Sequence, residues 1–305
     1  MTILITGATG LIGKEIVKRC HEQGISVHYL TTSKEKIESQ DNYKGFYWNP
    51  KEGVIDSKCF EDVDAIINLA GASIAKRWTN SYKKVILQSR IETLQCLKKA
   101  LSELDNHYVR HILSASAIGF YPHSFTKYYE ESCGKVSPSF LGKVVSTWEN
   151  AVDEFSELGL MVSKVRIGLV LDDKEGALPQ IVKPTALGFG APFGSGDQWQ
   201  SWIHVNDLSK IFVHVIQEEL EGVYNGVAPN PITNTELTKG VAKALHKPLF
   251  LPNIPKFAMK LVLGDMHILL YESQRVSSKK IEETGFDFTY SNIQPALENL
   301  LQKNA

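Results

Sequence analysis

Short apolar runs alternate with longer segments of helical periodicity through the first two thirds of the chain. Apolar runs of about four to eight residues bounded by polar residues are typical of buried parallel strands, and apolar residues at helical spacing predict helices. The predicted strands are Ile3–Thr6, Ile25–Thr31, Gly45–Trp48, Asp64–Ala70, Val109–Ser116 and Met161–Leu171. The predicted helices are Leu11–Gln23, Asn80–Leu104 and Pro138–Leu158. This alternation predicts an α/β fold with βαβ units and a doubly wound parallel sheet of the Rossmann type.

The amino-acid composition changes after about Asp172. Glycine and proline cluster over residues 172–201 and predict loops. The elements predicted beyond these loops are a strand at Trp202–Val205, a helix at Leu208–Glu218, a strand at Gly222–Val227 and mainly helices from about Thr233 onward. A short polar side chain can accept a hydrogen bond from an unpaired amide at the start of a helix. Asn206 or Asp207 is therefore the predicted cap of the helix that follows.

Composition and charge exclude several classes of protein. The chain has 305 residues, of which 43% are hydrophobic, and a formal net charge of -1. A chain of this length buries enough apolar surface to fold without disulfides or metal. The near-neutral charge argues against a nucleic-acid partner. No apolar run reaches the length of a membrane span, so we expect no membrane partner.

The cysteines and the first residues bear on the cellular compartment. The four cysteines, Cys20, Cys59, Cys96 and Cys133, form no C-x-x-C motif and are expected to be reduced thiols. The first residues enter a strand-like run at once, without the basic region and long apolar stretch of a signal peptide. His107 precedes the predicted strand that contains His111, and no glutamate lies between the two histidines, so we expect no metal site. These observations predict a cytoplasmic protein.

The sharpest signal is the segment TGATGLIG, from Thr6 to Gly13. Its three glycines stand directly after a predicted strand and open a predicted helix, which is the context that a dinucleotide-binding fingerprint requires. Gly7 allows the tight turn, Gly10 lets the backbone come close to a pyrophosphate, and Gly13 lets the helix pack closely on the strand. The amides and the dipole of the helix N-terminus favour an anion there. The segment therefore predicts a bound dinucleotide rather than a turn without a ligand.

The end of the second predicted strand indicates which dinucleotide is bound. NAD-dependent enzymes usually carry a carboxylate there that binds the ribose hydroxyls. This chain has Thr31, Thr32 and Ser33, followed by Lys34. No carboxylate would repel a 2′-phosphate, and hydroxyls with a nearby ammonium could hold one, so the turn favours NADP over NAD. A solvated polar loop is the alternative interpretation of Lys34.

Several further segments occur in a characteristic order along the chain. They are INLAGASIAKRW at 67–78, SRIETLQCL at 89–97, SASAIGFYP at 114–122, WE at 148–149, VRIGLVL at 165–171 and GSGDQWQSWIHVNDL at 194–208. Together with TGATGLIG, they make essentially the whole chain resemble the epimerase-like family of atypical extended short-chain dehydrogenases/reductases, which includes the human family-39U protein and bacterial relatives. The resemblance implies a small helical C-terminal domain, here at residues 249–300.

Pattern and resemblance together predict two regions. Residues 1–171 are expected to form the NADP-binding Rossmann domain, and residues 202–228 are expected to return to it. Residues 172–201 and 229–305 are expected to form a smaller, mainly helical region on the substrate side.

The resemblance also implies cofactor contacts at matching positions. Leu69, Ala70 and Gly71 would line the adenosine side of the dinucleotide, and Val170 would lie at its nicotinamide half. Arg90 matches an arginine that contacts the cofactor in the family, and a helix-surface salt bridge is its alternative role. Many members have an arginine where this chain has Thr32. The expected cofactor contacts are Gly7, Thr9, Gly10, Leu11, Ile12, Gly13, Thr31, Thr32, Ser33, Leu69, Ala70, Gly71, Arg90, Ser114 and Val170.

The usual proton-transfer pair of the wider superfamily is absent. Its members use a tyrosine with a lysine four residues later on the same helix, and the lysine lowers the pKa of the tyrosine. The helix predicted at Pro138–Leu158 contains no tyrosine. Ser139 and Lys143 have the spacing of the pair, but serine is a poor proton donor, and Lys143 is expected on a solvated helix face.

Ser116 and Tyr121 are the candidate proton-handling groups. Ser114 and Ser116 end the fifth predicted strand, at the carboxyl edge where ligands bind in such sheets. Tyr121 follows closely and is matched by a tyrosine in the family. Core packing of Tyr121 and backbone hydrogen bonding of the serines are the alternatives. We interpret His204 as a buried, hydrogen-bonded histidine and Asp207 as a helix cap, rather than as an acid–base pair.

Two functions fit these expectations. The first is an NADP-dependent oxidoreductase or epimerase that acts on a small molecule, such as a nucleotide sugar or another carbonyl or hydroxyl compound. The second is a non-catalytic NADP-binding regulator or scaffold. The missing tyrosine–lysine pair favours the second function, and the links of some relatives to cell or organelle division fit it by analogy.

Overall fold

The computed structural model describes residues 1–302, so the last three residues of the predicted region 229–305 lie outside it. Its strands are β1 (Thr2–Thr6), β2 (Ser26–Thr31), β3 (Ser39–Gln40), β4 (Tyr43–Asn49), β5 (Val54–Ile55), β6 (Ala65–Asn68), β7 (His111–Ala117), β8 (Tyr128–Tyr129), β9 (Met161–Ile167), β10 (Leu169–Leu171), β11 (Trp199–Gln200), β12 (Trp202–His204), β13 (Gly222–Gly226), β14 (Ile232–Thr233) and β15 (Arg275–Val276). Its α-helices are α1 (Leu11–Glu22), α2 (Asn80–Ser102), α3 (Phe140–Asp153), α4 (Leu178–Ala186), α5 (Val205–Gln217), α6 (Asn234–Ala244), α7 (Lys256–Leu263), α8 (Ile268–Tyr271), α9 (Lys279–Glu282) and α10 (Ile293–Gln302).

Nine strands of the described chain form one sheet, in the order β13-β9-β7-β6-β1-β2-β4-β3, with β5 paired to β4. The strands from β13 to β4 run parallel, whereas β3 and β5 are short antiparallel additions. The chain order reverses between β1 and β6, which makes the carboxyl edge there the topological switch point where ligands bind in such sheets. The predicted doubly wound Rossmann sheet is confirmed.

Helices cover both faces of the sheet. Ile3, Leu4 and Ile5 point to alternating faces of β1, and all three are 0% exposed, so both faces of the central strand are covered. α1 packs against α5, and α2 packs against α3. The two helix pairs lie in separate layers because the direction of the crossovers changes at the switch point.

The predicted strand Met161–Leu171 is divided at Gly168 into β9 and β10. The Gly168 N–H still donates to the Gly226 carbonyl oxygen of β13, at 3.1 Å. The next amide, of Leu169, donates to the Ser201 carbonyl oxygen, at 2.8 Å. The chain thereby leaves the main sheet, and β10 pairs with β12 in a separate two-stranded sheet. Of the segment predicted to return, β13 joins the main sheet and β12 does not.

The helix α5 begins at Val205 rather than at Leu208. His204 caps it, because its Nδ1 accepts a hydrogen bond from the Asn206 N–H at 3.1 Å, so the prediction of Asn206 or Asp207 as the cap is wrong. The Asp207 carboxylate is fully buried inside the first turn instead. Its two oxygens accept from the backbone N–H groups of Thr289 and Tyr290, at 3.0 and 2.8 Å. It therefore ties the C-terminal segment to α5.

A second core lies in the C-terminal region. α6 packs against both α4 and α10. Trp202, Leu237 and Leu297 are buried in the apolar cluster between these elements. The smaller region is mainly helical, as the fold class predicts.

The longest helix of residues 1–302, α2, has 23 residues and carries charged side chains along its length. Within the same residues, no helix is both long and apolar enough to cross a membrane.

Replacing Asp207 by alanine should destabilise the protein by about 2–5 kcal/mol, because two backbone N–H groups lose the buried, charged acceptor of their hydrogen bonds. Urea unfolding measures the change. Asp105→Ala removes an exposed carboxylate and should change the free energy of unfolding by less than about 0.5 kcal/mol. If the two variants lost the same stability, Asp207 would not hold the C-terminal segment.

Candidate functional site

The glycine-rich turn between β1 and α1 has the geometry that its sequence predicts. Gly7 has a φ of 73°, in the left-handed region. A Cβ atom on Gly13 would lie 2.2 Å from the Gly7 carbonyl oxygen, so only glycine lets α1 begin this close to the turn. The Gly10 N–H donates to the same carbonyl at 3.0 Å, and no side chain caps α1. The first-turn amides, including those of Leu11 and Ile12, are therefore available to an anion.

A cleft of about 560 Å³ opens beside this turn. Its lining includes Ala8, Thr9 and Lys14. Thr9 is exposed, and the Lys14 ammonium pairs with Glu175 at 3.0 Å. The turn is thus accessible from solvent, and the rest of the cleft runs along α1, past Lys18 and Glu22, to Tyr43 of β4.

One buried hydrogen-bond network joins the carboxyl ends of β1, β6 and β7. Thr6 Oγ1 donates to Asn68 Oδ1 at 2.8 Å. Thr6 Oγ1 also accepts hydrogen bonds from the N–H groups of Leu69 and Ala70, at 3.0 and 3.1 Å. Asn68 Nδ2 donates to Ser114 Oγ at 3.0 Å, and all three side chains are 0% exposed. The network fixes the backbone that leaves β6, on which Leu69 and Ala70 lie.

Arg90 of α2 lies against the chain that follows β6. Its Nη1 donates to the carbonyl oxygens of Ile86 and Ala72, at 2.8 and 3.3 Å. Its guanidinium lies 4.9 Å from the centroid of the Trp148 ring. A Cβ atom on Gly71 would lie 3.1 Å from Arg90 Cζ, so the glycine permits this close contact.

Arg90 has no carboxylate partner in the described chain, in contrast to the helix-surface salt bridge that the sequence left open. Its buried Nε has no hydrogen-bond partner among residues 1–302. Burial lowers the pKa of Arg90 to about 10, which is still far above neutral pH. A desolvated cation beside the strand end would favour a bound anion.

The turn after β2 carries hydroxyl groups and one ammonium. Thr31 is buried and its Oγ1 accepts from the Ser33 N–H at 3.2 Å, whereas Thr32 is exposed. Lys34 Nζ lies 5.1 Å from the centroid of the Tyr47 ring on β4. The aromatic ring therefore holds the exposed ammonium near the turn.

Val170 lies beyond the carboxyl end of β9, half-buried in β10, where it pairs with Ile203. The loop that follows approaches the glycine turn. A Cβ atom on Gly176 would lie 3.5 Å from Leu11 Cδ2 and 3.8 Å from the Val170 carbonyl oxygen. The fold thus brings Val170, the glycine turn and the ends of β2 and β6 to one edge of the sheet.

Ser116 and Tyr121 belong to one buried polar network. Ser116 Oγ donates to Glu149 Oε1 at 2.5 Å. The two Glu149 oxygens accept from Arg166 Nε and Nη2, both at 2.8 Å. Arg166 Nη1 donates to the Tyr121 hydroxyl at 3.1 Å, and this hydroxyl donates to Asn225 Oδ1 at 2.8 Å. The exposed fraction is 3% for Ser116 and 0% for Tyr121.

The surroundings of Tyr121 match the core-packing alternative. Burial raises the pKa of its hydroxyl to about 12, although the charge and hydrogen bond of Arg166 act in the opposite direction. Its ring stacks on Tyr129, with 5.1 Å between the centroids. A phenol with this pKa keeps its proton at neutral pH.

The helix that would carry the tyrosine–lysine pair, α3, contains no tyrosine. Ser139 caps it, because its Oγ accepts from the Gly142 N–H at 3.2 Å. Lys143 is exposed, as expected for a solvated face.

One carboxyl group that the sequence did not single out lies beside this cap. Ser139 Oγ already accepts from the Gly142 N–H and from the Ser137 hydroxyl, at 3.2 and 3.0 Å. Its own proton is therefore directed to another acceptor, the half-buried Glu272 carboxylate that follows α8. Burial raises the pKa of Glu272 to about 7, and the Ser139 hydrogen bond acts in the opposite direction. No motif surrounds Glu272, so only the packing of the C-terminal region against α3 reveals it.

Sequence comparisons find relatives along the whole chain. Residues 3–149 match the NAD dependent epimerase/dehydratase family, and residues 254–300 match a domain of unknown function, DUF1731. The epimerase family protein SAR0825 of Staphylococcus aureus (strain MRSA252) is 35% identical over 301 residues, which cover 98% of this chain and 99% of that protein.

Solved structures resemble the fold over its full length. Human epimerase family protein SDR39U1, determined with NADPH, superposes with a TM-score of 0.85 at 28% identity and covers 99% of both chains. A nucleoside-diphosphate sugar epimerase from Corynebacterium glutamicum gives a TM-score of 0.79 at 27% identity, covering 99% of this chain and 58% of that chain.

The reversed strand order and the glycine turn at its switch point define a Rossmann protein of the extended short-chain dehydrogenase/reductase class. Within this class, the chain belongs to the epimerase protein family of SAR0825 and human SDR39U1, with the DUF1731 domain at its C-terminal end. The resemblance stated from the sequence motifs is confirmed.

Glu272 should make the stability depend on pH in a way that its glutamine variant does not. Its folded pKa is raised from 4.5 to about 7, so the folded chain binds this proton more tightly than the unfolded chain. The resulting stability is fully present below the unfolded pKa and is lost as the pH rises through the folded pKa. The stability of Glu272→Gln relative to that of the parent should therefore be greater at about pH 8 than at about pH 5.

Thermal melts of both proteins at the two pH values measure this difference. Glu61→Gln changes an exposed carboxylate and serves as the matched control. An effect of Glu272→Gln that is the same at both pH values would contradict the raised pKa.

Proposed function

We propose that this protein binds NADP(H) across the carboxyl ends of β1, β2 and β6 and carries out hydride transfer or epimerisation on a small molecule. The observation that carries the proposal is the uncapped start of α1 behind a glycine turn that no larger residue could form. The relative determined with NADPH supports the same ligand class. The first-turn amides of α1 would bind the pyrophosphate, the chain at Leu69–Gly71 the adenosine side, and Val170 the nicotinamide half.

The preference for NADP over NAD rests on charge. The turn at Thr31–Ser33 offers hydroxyl groups without a carboxylate, and Lys34 adds an ammonium held by Tyr47. Arg90 contributes a second cation that has no counter-ion in the described chain. Each of these features favours an anionic cofactor, and the turn after β2 is where such folds distinguish the 2′-phosphate from the free hydroxyl.

The bound nicotinamide would supply or accept the hydride, and the chain would orient the substrate and move a proton. The network of Ser116, Glu149, Arg166 and Tyr121 would hold the strand ends that form the floor of the site. Glu272 is the carboxyl whose pKa of about 7 suits proton exchange near neutral pH. A nucleotide sugar or another carbonyl or hydroxyl compound is the proposed substrate, in line with the Corynebacterium relative.

A non-catalytic NADP(H)-binding regulator or scaffold is the second candidate function. The observation in its favour is that Tyr121 is fully buried and its hydroxyl is occupied by Arg166 and Asn225. We place either protein in the cytoplasm, where the four unpaired cysteines would stay reduced.

Calorimetric titration with NADPH, NADP and NAD tests binding, and NADPH oxidation with a panel of carbonyl compounds and nucleotide sugars tests catalysis. Turnover that Glu272→Gln abolishes, with NADPH binding retained, would support the enzyme. Binding without turnover across the panel would favour the regulator. A protein that binds no nicotinamide dinucleotide would overturn both functions.

Thr32→Asp should weaken NADPH binding by about tenfold or more, because it places a carboxylate beside the expected 2′-phosphate. NADH binding should change little, since NADH carries a free hydroxyl there. Titrations with both cofactors measure the ratio, and Thr126→Asp, at another exposed threonine, is the control. Equal losses for the two cofactors would show that the 2′-phosphate does not lie at this turn.

A further inference from the structure

Three segments of the C-terminal half expose large apolar side chains to solvent. The most exposed are Leu187 (74%), Phe189 (63%), Phe250 (70%), Phe257 (76%), Leu261 (83%) and Val262 (65%). Scattered exposed apolar residues are ordinary, but a concentration of this kind marks a surface that binds something.

These segments adjoin one another. The Gly194 N–H donates to the Ile254 carbonyl oxygen at 2.9 Å, and the Ile254 N–H donates to the Pro192 carbonyl oxygen at 2.8 Å. A Cβ atom on Gly190 would lie 2.8 Å from Leu249 Cδ2. The chain after α4 therefore runs beside residues 249–254, which lead directly into α7. We call residues 187–189, 250–251 and 256–262 the apolar–basic face.

The helix α7 exposes three of its apolar side chains, those of Phe257, Leu261 and Val262. None of its eight residues is buried. Phe257 and Leu261 are four residues apart and so lie on one side of the helix, with Lys256 and Lys260 in the adjacent row. A helix this short is marginal without packing, so a partner that covers the exposed side would stabilise it.

The charges on this stretch of the chain are basic, and the carboxylate that follows α7, Asp265, is paired with Lys83 at 2.5 Å. Between Leu237 and Gly264 the chain carries five lysines and no aspartate or glutamate. These lysines are Lys239, Lys243, Lys247, Lys256 and Lys260, all exposed. Within residues 1–302 none of them forms a salt bridge. A second copy of the chain would bring like charges together, whereas an anionic partner would be complementary.

We propose that the apolar–basic face docks the protein on the surface of a membrane that contains anionic phospholipids. Phe257 and Leu261 enter the headgroup region, and Lys256 and Lys260 contact the lipid phosphates. The amide of Asn253, which lies between two segments of the face, is already bonded to the carbonyl oxygens of Gly194 and Ser195, at 2.9 and 3.1 Å. The face thus offers apolar groups and ammonium groups, as a lipid surface requires, and few groups for the directional hydrogen bonds of a peptide.

This contact needs no membrane-spanning helix. It revises the expectation of no membrane partner, which considered spanning segments only. It is also independent of the proposed dinucleotide site, because none of its residues belongs to that site.

Cosedimentation of the full chain with vesicles tests the proposal. Binding is expected to phosphatidylcholine vesicles that contain phosphatidylglycerol, at low salt, and not to vesicles of phosphatidylcholine alone. Lys256→Gln with Lys260→Gln should weaken binding by about fivefold for each lysine. Phe257→Ser with Leu261→Ser should weaken it by more than about tenfold.

Two control variants change lysines and exposed apolar residues on the Rossmann domain, where such side chains are also available. Lys51→Gln with Lys58→Gln, and Val54→Ser with Val85→Ser, should leave vesicle binding unchanged. The melting temperature shows that each variant is folded, even if the protein binds no dinucleotide. Where NADPH binds, its titration is a second check.

Three results would overturn the proposal. They are an absence of binding to the anionic vesicles, equal binding to neutral vesicles, and binding that the face variants and the control variants reduce equally. A concentration-dependent dimer that Phe257→Ser with Leu261→Ser abolishes would assign the face to a second copy instead.

Discussion

The carboxyl edge of the sheet depends on the hydroxyl of Thr6. It donates a hydrogen bond to Asn68 and accepts from the two amides that follow β6. Asn68 in turn donates to Ser114 on β7. Since the side chains of Thr6, Asn68 and Ser114 are fully buried, the bonds between them must be made or their polar atoms would be left desolvated and unpaired. The network therefore sets the distance between the glycine turn and the chain that leaves β6, which is the opening of the candidate site.

A second buried network lies a short way along β7. Glu149 and Arg166 form a bidentate ion pair inside the protein, with Ser116 and Tyr121 bonded to its two ends. Such a pair is costly to desolvate, so its value lies less in stability than in fixing one arrangement of the groups around it. Here it fixes α3 against β7 and β9, and so the start of α3 where Ser139 meets Glu272.

The groove at the switch point and the apolar–basic face have different physical characters. The groove is formed by main-chain amides, hydroxyls and cations at the ends of parallel strands, a setting that suits a dinucleotide. The face is formed by apolar side chains and lysines on α7 and neighbouring loops, outside the main sheet. The groove therefore suits a defined small molecule, and the apolar–basic face suits an extended anionic surface. The two share no residue.

The sequence by itself determined the features whose causes are local or periodic. The strand–helix alternation gave the doubly wound sheet, and the glycines from Gly7 to Gly13 gave the turn, because only residues without a Cβ atom fit there. Only the tertiary structure decided that His204 rather than Asp207 caps α5, that Tyr121 is buried, and that Glu272 lies beside Ser139. Each of these outcomes depends on contacts between residues far apart in the chain, and no local pattern records such contacts.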